Sequence, residues 1–408
     1  MAVLHGKNYG KPSLDLNFAG NKSLIDTTTG TNYVTFSRAQ SGNEATYVGS
    51  DGLIKYASAD EPRFDHDPET LESLGLLVEE VRTNFNTNSE SFTGFQSLNG
   101  GSSLPNVTTS PDGTITADLF DSISGGYLEK IIPYSAGQTY TFSVFVKPNL
   151  GSSVFIQIYN RGYTGELRAT WNLLNNTFSF VTLNTAPTVT NQRIEDYFNG
   201  WKRIVISFNF VTASSSEISL SFWHQSAGQN NYYVWGLQLE KGSFPTSYIP
   251  TSGSTVTRAA DEASITGTNF SSWYNQSEGT FLVSHDPTGK TGAPRLLGGG
   301  SVQNAWIEIF TSNNYNALRS NTRYNFLDSP DFVSGVPHNV AFAYGTTAGS
   351  SVDGQNYTVQ GWNVTDFPES KLNIGRKEGG GEDVSGTISR LTYYPKRLSD
   401  IELQQLTK

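Results

Sequence analysis

Cysteine is absent from this chain of 408 residues, and methionine occurs once. Disulfides, thiolate metal sites and cysteine nucleophiles are thereby excluded, so stability must come from core packing, sheet pairing or self-association. Charge is sparse as well: Asp, Glu, Lys and Arg make up 16% of the chain, against roughly 25% in ordinary soluble proteins. Positive charge is the scarcer sign. The formal net charge is -10, and the longest basic cluster is Lys396-Arg397 with Arg390 nearby. Such a surface repels phosphate backbones and anionic lipid, so neither nucleic acid nor membrane is expected as a partner. No stretch approaches the roughly 18 apolar residues of a membrane span. Met1 to Gly10 carries no apolar run of the kind that opens a secretory signal. Synthesis in a cytoplasm is expected, with any extracellular role reached by transport on a particle.

What is present is glycine, aromatic side chains and small polar residues: 40 Gly, 24 Phe, 20 Tyr and 7 Trp. This composition suits short strands joined by many turns rather than helices. Period-two alternation is clearest between 84 and 250. Tyr140, Phe142, Val144 and Val146 share one strand face, and Val154, Ile156 and Ile158 another. Ile204 to Phe210, Ile218 to Phe222 and Tyr233 to Leu239 repeat the pattern. Many such segments with turns between them predict an antiparallel sandwich. A second sandwich is expected over 268–408, with strands near 280–284, 305–310, 339–344, 357–360 and 387–393. Residues 251–267 are small and polar and read as a linker or a connecting strand. Residues 1–83 read as short extended pieces, too few and too polar for a core of their own, that must pack on a neighbour or on another subunit. One helix start stands out: Ser399 can cap and Glu402 can reach back, which is a capping box. The expected fold is therefore all-β: two antiparallel β-sandwich (jelly-roll) domains after a small extended N-terminal β region.

Several phrases resemble proteins of tailed-bacteriophage particles. Asp15-Leu16-Asn17-Phe18, Thr35-Phe36-Ser37-Arg38-Ala39 and Tyr47 to Gly52 resemble the opening of tail-fibre and particle-surface proteins. So does Pro62-Arg63-Phe64-Asp65-His66-Asp67-Pro68 followed by Leu76 to Asn84. The run from Val234 to Thr251, then Thr257-Arg258-Ala259-Ala260-Asp261, is similar to the end of a carbohydrate-binding-module-like domain in those proteins. Gly386 to Leu391 with Tyr393 to Ser399 looks like the last strand and helix of a concanavalin A-like (laminin-G-like) jelly roll. The resemblance implies an N-terminal attachment region at 1–83 that contacts other virion proteins. It implies a carbohydrate-binding-module-like sandwich at 84–250 and a concanavalin A-like sandwich at 268–408. It further implies a virion location, self-association as a homotrimer, and adhesion to host surface glycan as a tail-fibre or receptor-binding subunit. A capsid-surface fibre or decoration protein, and a polysaccharide-degrading enzyme, are the alternatives.

The residues offer little catalytic chemistry. Glycoside hydrolysis needs two carboxylates on one strand face, and Trp306-Ile307-Glu308-Ile309-Phe310 supplies one, so Glu308 reads as solvent-facing and no catalytic residue is assigned. The histidines are scattered, and His285-Asp286 before Pro287 reads as a surface turn; no metal site is assigned and no cofactor is expected. Calcium alone stays open, through the oxygen-rich loops at Asp353-Gly354, Asp366 and Glu382-Asp383. Sugar binding would use aromatic rings as platforms, with amides and guanidinium groups for the hydroxyls. Three segments carry that mixture: Tyr159, Arg161 and Tyr163; Trp223, Gln225, Asn230 and Tyr232; and Asn314, Tyr315 and Arg319.

Overall fold

Alternating apolar residues pull the chain into two β-sandwiches whose order along the sequence is nested. The structure, a computed structural model, describes residues 9–122, 125–162, 165–184, 187–211, 216–223, 231–309, 314–327, 329–330, 333–363 and 367–408. Among these the strand pairings are antiparallel throughout and helices are few and short.

The inner sandwich lies within residues 96–241. Sheet III runs in the order Thr188–Tyr197, Trp201–Asn209, Tyr140–Leu150, Asn231–Lys241, Ala117–Ser122, Gly101–Thr108. Sheet IV runs Thr177–Asn184, Gly165–Asn172, Ser153–Asn160, Glu217–Trp223, Tyr127–Pro133, Gln96–Leu98. Their facing sides hold Phe142, Val144, Ile204 and Ile206 against Val154, Ile156, Leu220 and Phe222. Each such side chain, once buried, contributes roughly 1.5–3 kcal/mol.

The outer sandwich is assembled from both ends of the chain. Sheet I runs Gln355–Tyr357, Gly349–Val352, His338–Tyr344, Gly279–Lys290, Val384–Tyr394, Ser73–Val78, Arg63–His66, and Leu14–Leu16 also pairs with Val384–Tyr394. Sheet II runs Thr35–Ser37, Glu262–Thr266, Lys371–Ile374, Arg295–Gly298, Ala305–Ile309, Tyr315–Arg319, Thr322–Asn325. Leu14, Leu16, Phe18, Leu76 and Val78 share one core with Phe281, Trp306, Phe342 and Tyr393. The boundaries expected at 83 and 251–267 therefore differ from the sheet memberships. Residues expected as a separate attachment region supply strands to both outer sheets, and the stretch expected as a linker or a connecting strand supplies Glu262–Thr266 to sheet II. The reason is the one that made the N-terminal pieces too small alone: their apolar residues need a partner, and the same chain provides it. Gly75 shows how close the approach is. It sits at φ 103°, and a Cβ there would meet the Ile388 carbonyl oxygen at 2.3 Å, so only glycine fits.

The inner sandwich is thus an insertion between Ser73–Val78 and Glu262–Thr266. Strands Arg82–Asn84 and Val256–Arg258 pair where the chain passes out and returns. At that neck lies a buried ionic cluster. Asp261 binds Arg38 at 2.8 Å and Arg63 at 2.5 Å, while Glu79 binds Arg63 at 2.8 Å and Arg258 at 2.9 Å. The Ser247 amide donates to Glu79 and the Glu79 amide donates to Asp261. Burial alone would raise the Glu79 carboxyl, but Arg258 and Arg63 overrule it and hold it down at about 2. The C-terminal helix Asp400–Leu406 begins with the expected capping box between Ser399 and Glu402.

One buried charge has no such compensation. Lys130 is 8% exposed, and its Nζ has no hydrogen-bond partner among the described residues. Its nearest polar relief is the face of Phe95, 5.4 Å away. Burial pushes its amine down to about 8. Replacing it with an apolar chain of similar length, Lys130→Met, is expected to raise stability by about 1–3 kcal/mol at pH 7, because an unpaired ammonium no longer has to be desolvated. Thermal denaturation at pH 7 checks this; an unchanged or lower Tm contradicts it.

Candidate functional site

Strand parity decides what sheet IV shows to the outside. In Ser153–Asn160 the residues Val154, Ile156 and Ile158 point into the core, which leaves Phe155, Gln157 and Tyr159 on the outer face. In Glu217–Trp223 the outer positions are Ser219, Ser221 and Trp223, and in Gly165–Asn172 they include Glu166, Arg168 and Thr170. Strand Tyr127–Pro133 adds Tyr127, Glu129 and Ile131.

Register aligns these positions into rows that cross the sheet. One row reads Thr170, Phe155, Trp223, Tyr127, and the next reads Arg168, Gln157, Ser221, Glu129. Three aromatic rings thus lie beside an amide, a guanidinium and a carboxylate. The rings of Phe155 and Trp223 meet edge to face at 6.0 Å, and the Arg168 guanidinium sits 5.6 Å from the Trp223 ring centre. Gln157 donates to Glu166 at 2.6 Å. Tyr159 and Ser219 both donate to Glu129, and Arg161 stands 3.9 Å from the same carboxylate. Two small serines in the middle strand keep the floor low between longer side chains. Ser221 Oγ and the indole N–H of Trp223 are buried without a hydrogen-bond partner among the described residues.

Tyr159, Arg161 and Trp223 therefore come together on one face. Tyr163, Gln225 and Asn230 lie outside the described residues. Tyr232 belongs elsewhere: it is 2% exposed, with its ring 5.1 Å from Phe120 inside the inner core. Its parity in Asn231–Lys241 turns it inward. Tyr315 is likewise fully buried, in the outer core, with its hydroxyl 3.0 Å from His285 Nε2. Neither ring can serve as a platform for sugar. Asn314 and Arg319 flank Tyr315 on the other sandwich, both half-buried, with the Arg319 guanidinium 5.8 Å from the Phe367 ring centre. The third segment thus does not join the first two. Gln157, Arg168, Glu129 and Tyr127 were not singled out from sequence, although the alternation that gave Val154, Ile156 and Ile158 marks Phe155 and Gln157 as their outward neighbours.

Elsewhere, two polar expectations change. Glu308 is fully buried, not solvent-facing, because Arg295 and Arg323 fold over it; the Arg323 Nε lies 2.9 Å from its carboxylate. His285 is no surface turn but part of strand Gly279–Lys290, buried against Tyr315 and His338. Of the loop carboxylates, Asp353 is bound by His338 Nδ1 at 2.6 Å and by the Asn339 amide, Glu382 pairs with Lys377, and Asp366 lies outside the described residues. Among the described residues no group of three or more His, Cys, Asp or Glu gathers around a point.

No protein-family profile matches the chain, and no curated protein does. Solved structures match more loosely. The CBM40 of a Ruminococcus gnavus IT-sialidase, bound to α2,3-sialyllactose, shows 20% identity and a TM-score of 0.29, over 34% of this chain and 86% of that one. Domain 4 of AbnA, a GH43 extracellular arabinanase from Geobacillus stearothermophilus, in complex with arabinotriose, shows 14% identity and a TM-score of 0.31, over 36% and 73%. A Trypanosoma rangeli sialidase in complex with the inhibitor DANA shows 10% identity and a TM-score of 0.29, over 71% and 60%. At these scores the likeness identifies neither a family nor a ligand for this chain. What stands on its own geometry is the class: an all-β protein of antiparallel β-sandwiches.

Proposed function

We propose that this chain is a non-enzymatic adhesion subunit of a tailed-bacteriophage particle, a tail-fibre or receptor-binding component that grips host surface glycan through the outer face of sheet IV. The observation that carries the glycan reading is the aromatic row of Phe155, Trp223 and Tyr127 beside the polar row of Arg168, Gln157 and Glu129. Pyranose rings present an apolar C–H face and polar edges, and this pair of rows offers a counterpart to each. The phage reading rests on the resemblance of the quoted phrases. Those phrases also act together physically, since Arg38, Arg63, Glu79, Arg258 and Asp261, drawn from several of them, form the neck cluster. Self-association as a homotrimer and contacts to other virion proteins belong to the same proposal.

Binding to a glycan array by the full-length protein tests it. Trp223→Ala is expected to weaken the responding glycan at least about tenfold, equivalent to about 1.4 kcal/mol, with the fold retained because the ring lies outside the inner core. Incubation with the same glycans is expected to release no reducing sugar. Wild-type affinity in Trp223→Ala would remove this face as the site, and sugar release would favour the polysaccharide-degrading alternative.

A further inference from the structure

A cavity that shares no residue with the rows on sheet IV lies where the outer sandwich meets the insertion. The hairpin of Ala45–Val48 and Ile54–Ala57, strand Arg63–His66 and the turn at 110–114 line an open-sided cavity of about 900 Å³. Three half-buried rings line it, those of Tyr47, Tyr56 and Phe64. Its charges are largely satisfied within the protein. Lys55 pairs with Asp51 at 2.6 Å, and Asp112 accepts from Tyr56 OH at 2.9 Å and from Ser110 Oγ at 2.6 Å. A ligand need therefore bring no net charge.

His66 supplies the polar demand. It is 4% exposed and lines the cavity. Its Nδ1 lies 3.0 Å from the Val48 carbonyl oxygen. A carbonyl can only accept, so the neutral imidazole carries its proton on Nδ1 and leaves Nε2 as a bare acceptor. That Nε2 is buried and has no partner among the described residues. Leaving such an atom unpaired is unfavourable; a donor from a bound molecule, directly or through one water, removes that penalty.

We propose that this cavity is a second saccharide site, specific for a neutral sugar that lays its C–H face on Tyr47, with Tyr56 and Phe64 beside it, and donates a hydroxyl proton to His66 Nε2. It is independent of the rows on sheet IV and stands or falls separately from them.

The test uses the full-length protein labelled with ¹⁵N-histidine, and glucose, galactose, mannose and N-acetylglucosamine, each as monosaccharide and trisaccharide. His66→Gln assigns the His66 resonance among the five histidines of the chain. At least one neutral sugar is expected to shift the His66 Nε2 signal in wild type and in Trp223→Ala alike. Calorimetry with that sugar is expected to lose tenfold or more in affinity in Tyr47→Ala, while Tyr47→Phe, which keeps the ring, retains it. A panel that leaves the His66 signal unmoved overturns the proposal, as does wild-type affinity in Tyr47→Ala. If Tyr47→Ala fails to fold, the His66 signal alone decides. Sugar binding abolished by Trp223→Ala with His66 silent would overturn this site and leave sheet IV intact; a His66 response that Trp223→Ala does not change supports this site and leaves sheet IV to its own glycan-array test.

Discussion

Asp261→Ala should unfold the protein at a temperature roughly 6–20 °C below wild type. Asp261 is the shared anion of the neck: Arg38 and Arg63 both bind it, and the Glu79 amide donates to it. Both guanidinium groups are fully buried. Removing the carboxylate leaves two desolvated cations facing each other's field with one fewer counter-charge. Breaking a buried pair in this way costs about 3–5 kcal/mol, because the surviving charge cannot return to water. For a unit of 150–250 residues each kcal/mol moves Tm by roughly 2–4 °C. Arg63 keeps Glu79, at 2.8 Å, whereas Arg38 keeps only carbonyls and Gln40, so Arg38 is the group left most exposed to the loss. The double variant Arg38→Met with Asp261→Asn should recover part of the stability lost by Asp261→Asn alone. Calorimetry of the three variants checks both statements. A Tm within about 3 °C of wild type for Asp261→Ala would mean that water reaches the neck.

Parity within a strand was legible; partnership between strands was not. Val154, Ile156 and Ile158, or Ile218, Leu220 and Phe222, announce a buried face because burial acts on each side chain where it stands. The capping box at Ser399 and Glu402 is equally local. By contrast, nothing in Leu14-Asp15-Leu16 says that it will pair with Tyr393-Thr392-Leu391. The same holds for Thr35-Phe36-Ser37 and its partner Glu262-Ala263-Ser264. Such pairings are fixed by the closure of the whole sandwich. Arg63 illustrates the consequence for polar groups. Its partners Glu79 and Asp261 arrive from just past the next strand, Ser73–Val78, and from beyond the insertion. Tyr232 and Tyr315 failed as candidate platforms for a related reason. Ring and amide residues marked both segments as candidates, and a shift of one residue in a strand exchanges core for surface. On the outer face of sheet IV, Tyr159 and Trp223 were found because ring and polar residues crowd together there in sequence. Arg168 and Glu129 were not, because only register brings their strands alongside.

Acid should weaken the wild-type fold between pH 6.5 and 4.5 more steeply than it weakens His285→Gln. Burial, aided by the nearby His338, holds the His285 imidazole down at about 3, whereas the same group in the unfolded chain titrates near 6.5. Between those values the unfolded state binds a proton that the folded state refuses. Stability contributed by the neutral ring is therefore complete above pH 6.5 and is lost as pH falls toward 3, at about 1.4 kcal/mol per pH unit once the unfolded ring is protonated. Asp65 acts with the opposite sign. Burial lifts its carboxyl to about 7, so its contribution falls as pH rises from about 4 to 7, and the net wild-type curve is the sum of both. Comparison with His285→Gln cancels Asp65 and every other carboxylate, since only residue 285 changes. Glutamine is the suitable replacement because its amide can still meet the Tyr315 hydroxyl, which lies 3.0 Å from the imidazole Nε2. The expected result is a Tm difference between the two proteins that narrows steadily from pH 7 to pH 4.5. Above pH 7 the difference should be constant, since neither protein titrates there at position 285. A difference that stays flat across the acid range would show that His285 accepts a proton in place, and that the space between Tyr315 and His338 is wet rather than dry.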